Sequence, residues 1–199
     1  MARARVTVRD AVPDDLPDLV ALWGQLRETA GRFEPSAPQP SEAGVLTRLR
    51  QAQDDPALRI LVASVDGSVV GMAVVHAGTV NPLDERVVVS VDYLHVFADR
   101  HGLGVGTGLL ATAADWAETL GAEQVITSVS PGEREAARFY ARLGFGPTMV
   151  RRSASTAVLR RALSPDPRLA SLDAAARRRL GRVRPVVTRA SHLGRQAQR

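Results

Sequence analysis

Neither cysteine nor lysine occurs among the 199 residues. Without cysteine there are no disulfides, no thiolate zinc sites and no cysteine-bound acyl intermediate. Without lysine there is no P-loop, because G-x-x-x-x-G-K-[ST] needs its lysine on the phosphates. Aromatic residues are scarce, with two Trp, two Tyr and four Phe. No stretch reaches the roughly 18 apolar residues that a spanning helix requires. The opening M-A-R-A-R-V-T-V-R-D has no apolar signal core, so a cytoplasmic protein is expected.

What the chain does carry is arginine, unevenly spread. The net charge of +5 conceals a near-neutral body and a basic end. Residues 1–163 hold 17 Arg against 19 Asp and Glu, while residues 164–199 hold 9 Arg against 2 Asp. The expected organisation is one domain over 1–163 and an arginine-rich extension over 164–199. In the extension, Leu169, Leu172, Ala175, Ala176 and Leu180 are spaced for a short amphipathic helix beside Arg177, Arg178 and Arg179. Nucleic-acid contact through these arginines is the alternative to a solvated tail. No aromatic side chain interleaves with them, which argues against a stacking groove.

The most informative stretch is D-Y-L-H-V-F-A-D-R-H-G-L-G-V-G-T-G-L-L, Asp92 to Leu110. A Val-rich strand, Arg86 to Phe97, runs into glycines at 102, 104, 106 and 108. An apolar stripe then follows at Val105, Leu109, Ala113, Trp116 and Leu120, with helical spacing. Strand, glycine turn and helix start together form an anion site, since the first helical turn presents free N–H groups and the positive end of the dipole. Spacing narrows the ligand. Starting from Gly102 or Gly104, a G-x-G-x-x-G fingerprint would end on Thr107 or Leu109, so a dinucleotide loop fails.

A second stretch follows the short run Val125 to Val129. Ser130, Pro131 and Glu133 have the pattern of a capping box, with Pro131 at the first helical position. Ala136, Phe139 and Leu143 share a face, and Gly144 is placed to end the helix.

His101-Gly102-Leu103-Gly104-Val105-Gly106 resembles [QR]-x-x-G-x-[GA], the acetyl-CoA motif of the GNAT superfamily of N-acetyltransferases. His101 stands where that family usually has Gln or Arg. A-x-x-F-Y-x-x-x-G-F, Ala136 to Phe145, is similar to the family's second signature, with Glu133 where Asn is frequent. The resemblance covers residues 4 to 163. It implies an α/β (α+β) fold: a mixed, mostly antiparallel sheet of six to seven strands flanked by helices, splayed between the strands near 90–97 and 125–129. The first strand is expected over residues 5–9, where V-T-V-R alternates. Further strands are expected at Leu58–Val65 and Ser68–Val80, around an Asp66-Gly67 hairpin turn, at Arg86–Phe97 and at Val125–Val129. A closing pair is expected at Thr148–Arg151 and Ser155–Arg160. Helices are expected after Pro13, with Leu16, Leu19, Val20, Trp23 and Leu26 inward, and after Ser41, with Val45, Leu46 and Leu49 on one side.

The resemblance also implies a role for each part. Acetyl-CoA would be the co-substrate. Its thioester would lie beside Leu94, His95, Val96 and Phe97, with backbone amides near His95 to Phe97 stabilising the oxyanion. The pyrophosphate would be held by the amides of Leu103, Gly104, Val105, Gly106, Thr107 and Gly108, with His101 and Gly102 serving the cofactor loop in front of them. Glu133 and Arg138, with Arg142, would contact the cofactor from the second motif. Tyr140 would be the general acid that protonates the leaving thiolate. Asp92 and His95 are the candidate bases, on opposite faces of the strand if it alternates regularly. His76, on the hairpin, and Glu34, Glu42 and Arg48, near the early helices, could also reach the acceptor. No metal is implied. Direct transfer to a primary amine in a ternary complex is expected, with a small molecule or a protein as acceptor and a homodimer possible. The alternative is an acyl-CoA-binding module without catalysis.

Overall fold

The computed structural model describes residues 5–30, 41–81, 83–130, 132–150 and 152–164. The chain divides into two compact units, Met1–Gly146 and Pro147–Arg199. The first holds β1 (Val6–Asp10), α1 (Leu16–Ala30), α2 (Glu42–Asp54), β2 (Leu58–Val65), β3 (Ser68–Thr79), β4 (Val87–Val96), α3 (Val105–Thr119), β5 (Val125–Thr127) and α4 (Arg134–Arg142). Its sheet runs in chain order, β1-β2-β3-β4-β5. All neighbours are antiparallel except β4 and β5, which are parallel.

The local reasons for these elements are visible in the residues. Asp66 and Gly67 both take positive φ, 50° and 83°, as a two-residue hairpin turn with the twist of its strands requires. Ser41 caps α2, its Oγ accepting from the Gly44 amide at 3.1 Å. α3 and α4 each end on a glycine with positive φ, Gly121 at 67° and Gly144 at 91°. Behind Gly144, the Phe145 amide reaches Tyr140 O and the Gly144 amide reaches Ala141 O, satisfying two carbonyls at the helix end.

Two apolar clusters cover the two faces of the sheet. One gathers Leu61, Ala73, Val75, Val89, Val91 and Val96 under α3, with Val105, Leu109 and Ala113 from the helix and Tyr140 from α4. The other joins Leu19 and Leu22 of α1 and Leu49 of α2 to Ile60, Val62 and Met72. Trp23 packs at the rim of this second cluster.

Two expectations are corrected. Five strands form the sheet among the described residues, not six to seven. Residues 148–150 and 152–155 form no strand, and Thr156–Leu163 is a helix, α5, in the second unit. Ser155 caps that helix, its Oγ accepting from the Val158 amide. Helix formation there follows from the cap and from Val158, Leu159, Ala162 and Leu163, which recur at helical rather than alternate spacing. Arg151, Glu34 and the arginine-rich segment from Leu169 to Leu180 lie outside the described residues.

Candidate functional site

β4 is where the site is assembled. Its register with β3 slips by one: Val74 faces Tyr93, Val75 faces Val91, and Asp92 is the extra residue of a bulge. The pairing with β5 stops at the same point, since Val89, Ser90 and Val91 face Val125, Ile126 and Thr127 and nothing in β5 faces Asp92 onward. Among the described residues, no strand pairs with that edge of β4 past the bulge. The Phe97 amide donates to Val70 O on the β3 side. Alternate amides of a strand point the same way, so Leu94 and Val96 direct theirs to the open edge. The Phe97 amide, expected beside a thioester, is already engaged.

The turn after β4 divides its glycines between two tasks. Gly102 and Gly104 have φ of 80° and 86°, and a Cβ on either would meet nothing. They are needed for backbone conformation. Gly104 is the N-cap of α3, so the amides of Val105, Gly106 and Thr107 have no carbonyl a turn earlier, and the Gly108 amide is the one that closes on Gly104 O. Gly106 and Gly108 serve packing instead. A Cβ on Gly106 would lie 3.2 Å from Phe139, and one on Gly108 would lie 3.4 Å from both Val6 and Val8. His101 ties the turn down, its Nε2 donating to Val96 O at 3.0 Å. Its Nδ1 is 4.0 Å from Glu135. Leu103 and Thr107 are exposed, and Val105 is buried in the core.

Tyr140 lies behind the point where β4 and β5 part. It is buried, with the rings of Phe139 and Phe145 edge-on at 5.2 and 5.3 Å. Its hydroxyl interacts with Thr127, whose own hydroxyl donates to Val91 O at 2.9 Å. Val91 and Thr127 are the last pair before the opening. Burial pushes the phenol above its ordinary value, the Thr127 hydrogen bond offsets part of this, and the charge of Glu133 adds to it.

The capping box expected in front of α4 is not formed. The helix starts at Arg134 with Glu133 as N-cap, no side chain caps it, and Ser130 contributes only its carbonyl, to the Glu133 amide. Pro131 lies outside the described residues. Arg138 and Arg142 are exposed on α4, as is Leu143, which was expected on its inner face.

The face of β4 opposite α3 carries a polar group of its own. Because of the bulge, Asp92, Tyr93 and His95 all reach the side covered by α1, so the expectation that Asp92 and His95 face apart is overturned. Asp92 Oδ2 sits 2.8 Å from His76 Nδ1. The Tyr93 ring lies on Trp23 with centroids 4.8 Å apart, and the Trp23 indole nitrogen is buried without a hydrogen-bond partner among the described residues. His95 Nε2 meets Gln25 Oε1 at 3.1 Å, and the same oxygen accepts the Ala98 amide at 3.2 Å. An oxygen that accepts from an amide accepts from the ring too, so His95 carries its proton on Nε2. Burial, with a smaller contribution from His101, pushes His95 down to about 4. Gln25 was not anticipated from the sequence; the signal for it is a polar residue inside the stripe formed by Trp23 and Leu26. Glu42 and Arg48 are exposed on α2. Among the described residues no three His, Asp or Glu side chains gather as a metal site.

Residues 23–145 match the family described as "Acetyltransferase (GNAT) family". An uncharacterized N-acetyltransferase of Mycobacterium tuberculosis is 37% identical over 102 residues, which is 49% of this chain and 59% of that protein. The chain thus spans about three-fifths of the curated relatives it matches. An aminoglycoside N-acetyltransferase, AAC(6')-Iy, solved with CoA, superposes with TM-score 0.62 at 19% identity over 77% of this chain and 95% of its own. Glucosamine-6-phosphate N-acetyltransferase of Arabidopsis thaliana gives TM-score 0.61 at 15% identity over 76% and 99%. At such identities these two show the fold alone.

Proposed function

The chain belongs to the acetyltransferase (GNAT) family, and from that premise we propose that it moves an acetyl group from acetyl-CoA directly to a primary amine. One observation carries the reading: Tyr140 is buried beside Thr127, whose hydroxyl donates to Val91 O at the last pair before β4 and β5 separate. A thioester laid along the open edge of β4 would have that phenol near its sulfur and the Leu94 amide near its carbonyl.

The residues fit the co-substrate. Free amides at the start of α3, brought round by two left-handed glycines, suit a pyrophosphate. His101 holds that turn to β4 and is spent on doing so, which leaves the backbone as the phosphate ligand. Bound acetyl-CoA supplies an activated acyl carbon. The chain's part is to orient that carbon, to stabilise the oxyanion with an amide of β4, and to protonate the departing sulfur. A phenol held above its ordinary value stays protonated throughout the neutral range, as an acid must. A free thiol titrates near roughly 8.5, so the thiolate is basic enough to take a proton at neutral pH.

Calorimetric titration with acetyl-CoA, beside thiol release in the presence of primary amines, tests the reading. Binding by the wild type and loss of binding in Gly104→Glu, with that variant still folded, is the expected outcome. A folded wild type that binds no acetyl-CoA overturns it.

A further inference from the structure

His76 and Asp92 stand on neighbouring strands, on the face of the sheet opposite α3. Their contact does not follow from simple pairing, since the residue opposite His76 is Ser90. It is the extra residue of the bulge that brings the carboxylate to 2.8 Å from Nδ1. A carboxylate oxygen accepts, so Nδ1 donates to it, and in the neutral ring Nε2 is then the atom that carries the lone pair. Both side chains are partly open to solvent, His76 at 44% and Asp92 at 36%. Of the other titratable groups on this face of β4, Tyr93 lays its ring on Trp23 and His95 is bound to Gln25. Among the described residues, His76 Nε2 is thus the basic nitrogen of this face that no protein group occupies, and Asp92 is the first residue past the last β4–β5 pair.

Resting on the acetyl-transfer reading, we propose that His76 is the base that takes the proton from the incoming ammonium, and that Asp92 is its positioning residue. The donor would lie against the turn and α3 on one face, which leaves the acceptor the other face, where Asp92 of the dyad is the first residue past the last β4–β5 pair. The ammonium gives one proton to His76 Nε2, which returns it to solvent. The freed nitrogen lone pair forms the C–N bond at the acyl carbon. The nitrogen then sheds a second proton to water as the C–S bond breaks and Tyr140 protonates the sulfur, and uptake of one proton from water restores the phenol. One proton is released per turnover, and nothing is oxidised or reduced. An acceptor whose amine is charged at neutral pH is the class such a base serves.

The test uses the full chain, with acetyl-CoA and the amine that supports the fastest thiol release in a panel of spermidine, tyramine and glucosamine. His76→Gln is expected to lower kcat by about 100-fold at neutral pH, the scale of general-base catalysis, and to recover as the pH approaches that at which the amine deprotonates itself. Asp92→Asn is expected to give a smaller loss with the same recovery. Calorimetric affinity for acetyl-CoA should be unchanged in both. Long-range proton–nitrogen NMR should show His76 protonated on Nδ1 in the wild type and a mixed tautomer in Asp92→Asn. Wild-type tautomer on Nε2 overturns the dyad, whatever the activity. Equal kcat for His76→Gln and wild type across the pH range overturns the base role while leaving the transfer reading intact. Absence of acetyl-CoA binding by the wild type removes the transfer reading and this proposal with it.

Discussion

The Phe139 ring of α4 lies where a side chain on Gly106 of α3 would begin, with Cζ 3.2 Å from the Cβ that Gly106 lacks. The glycine turn and the A-x-x-F-Y stretch, separate in the chain, are therefore one packed unit. Tyr140 is the next residue after Phe139, so the fit of Gly106 also sets where the phenol sits.

Gly106→Ala should overpack this contact. A Cβ at that distance is tighter than ordinary van der Waals contact, and a ring packed into the cluster that holds Tyr140, Leu94 and Phe145 has little room to yield. Overpacking of this kind costs about 1–3 kcal/mol. Urea unfolding should show a lower midpoint with unchanged slope. Equal midpoints would mean that α4 can move away freely.

Gly104→Ala should be destabilising for a different reason. Nothing surrounds its Cβ position, but its φ is 86°. An L-residue in the left-handed region costs about 1–2 kcal/mol. Asn tolerates that region better, so Gly104→Asn should fall between glycine and alanine in thermal unfolding, whereas at Gly106 asparagine should be worse than alanine. That reversal of order separates backbone strain from crowding.

Much of this is legible in the residues and some is not. The strand–turn–helix over Asp92–Leu110, the Asp66-Gly67 hairpin and the Ser41 cap each rest on local chemistry that the chain spells out. The bulge at Asp92 has no such signature: regular alternation and a one-residue slip fit the same Val-rich run, and pairing with β3 decides between them. The stretch after Val150 misleads because Val, Leu and Thr suit strand and helix alike. The signal against a strand is Ser155, whose hydroxyl begins α5. Four glycines at alternate positions suggest one shared role, and only the neighbours, Phe139, Val6 and Val8, reveal two.

Tyr140→Phe should preserve the fold and impair the reaction. The ring contacts with Phe139 and Phe145 remain, and only the hydroxyl and its link to Thr127 are lost. Thermal unfolding should move by a few degrees at most. If the phenol is the acid, kcat should fall about 100-fold, while acetyl-CoA affinity in calorimetry stays the same. Unchanged kcat would assign the proton to water.

His95 gives a pH signature of its own. Its folded value of about 4 lies below the ordinary 6.5, because burial disfavours the imidazolium. As pH falls from 6.5 toward 4, the unfolded chain takes up this proton and the folded chain does not. Stability then falls with pH across that window. His95→Gln, which can still bond Gln25, should flatten the dependence between pH 6.5 and 4. An NMR titration of the wild type should find His95 neutral at about pH 5. Protonation near 6.5 would mean that the Gln25 contact opens readily.

Asp15 extends the acid sensitivity to lower pH. It is buried at the entrance to α1, accepts the Val12 amide at 2.8 Å, and forms a two-pronged pair with Arg9 at 2.6 and 2.8 Å. The Arg9 hydrogen bond is the main cause that holds its carboxyl below the usual 3.8, with the Val12 amide and the Arg9 charge adding to it against the cost of burial. A carboxyl lowered in the folded state contributes stability that is fully present above 3.8 and disappears as pH falls through the folded value. Asp15→Asn keeps an oxygen for the Val12 amide but not the charge-assisted pair, so it should lose about 1–3 kcal/mol at about pH 7. As pH falls through the folded value and the wild type also loses its charge, the two unfolding curves should converge. Curves that stay parallel throughout that fall in pH would place the stabilisation in shape rather than in charge.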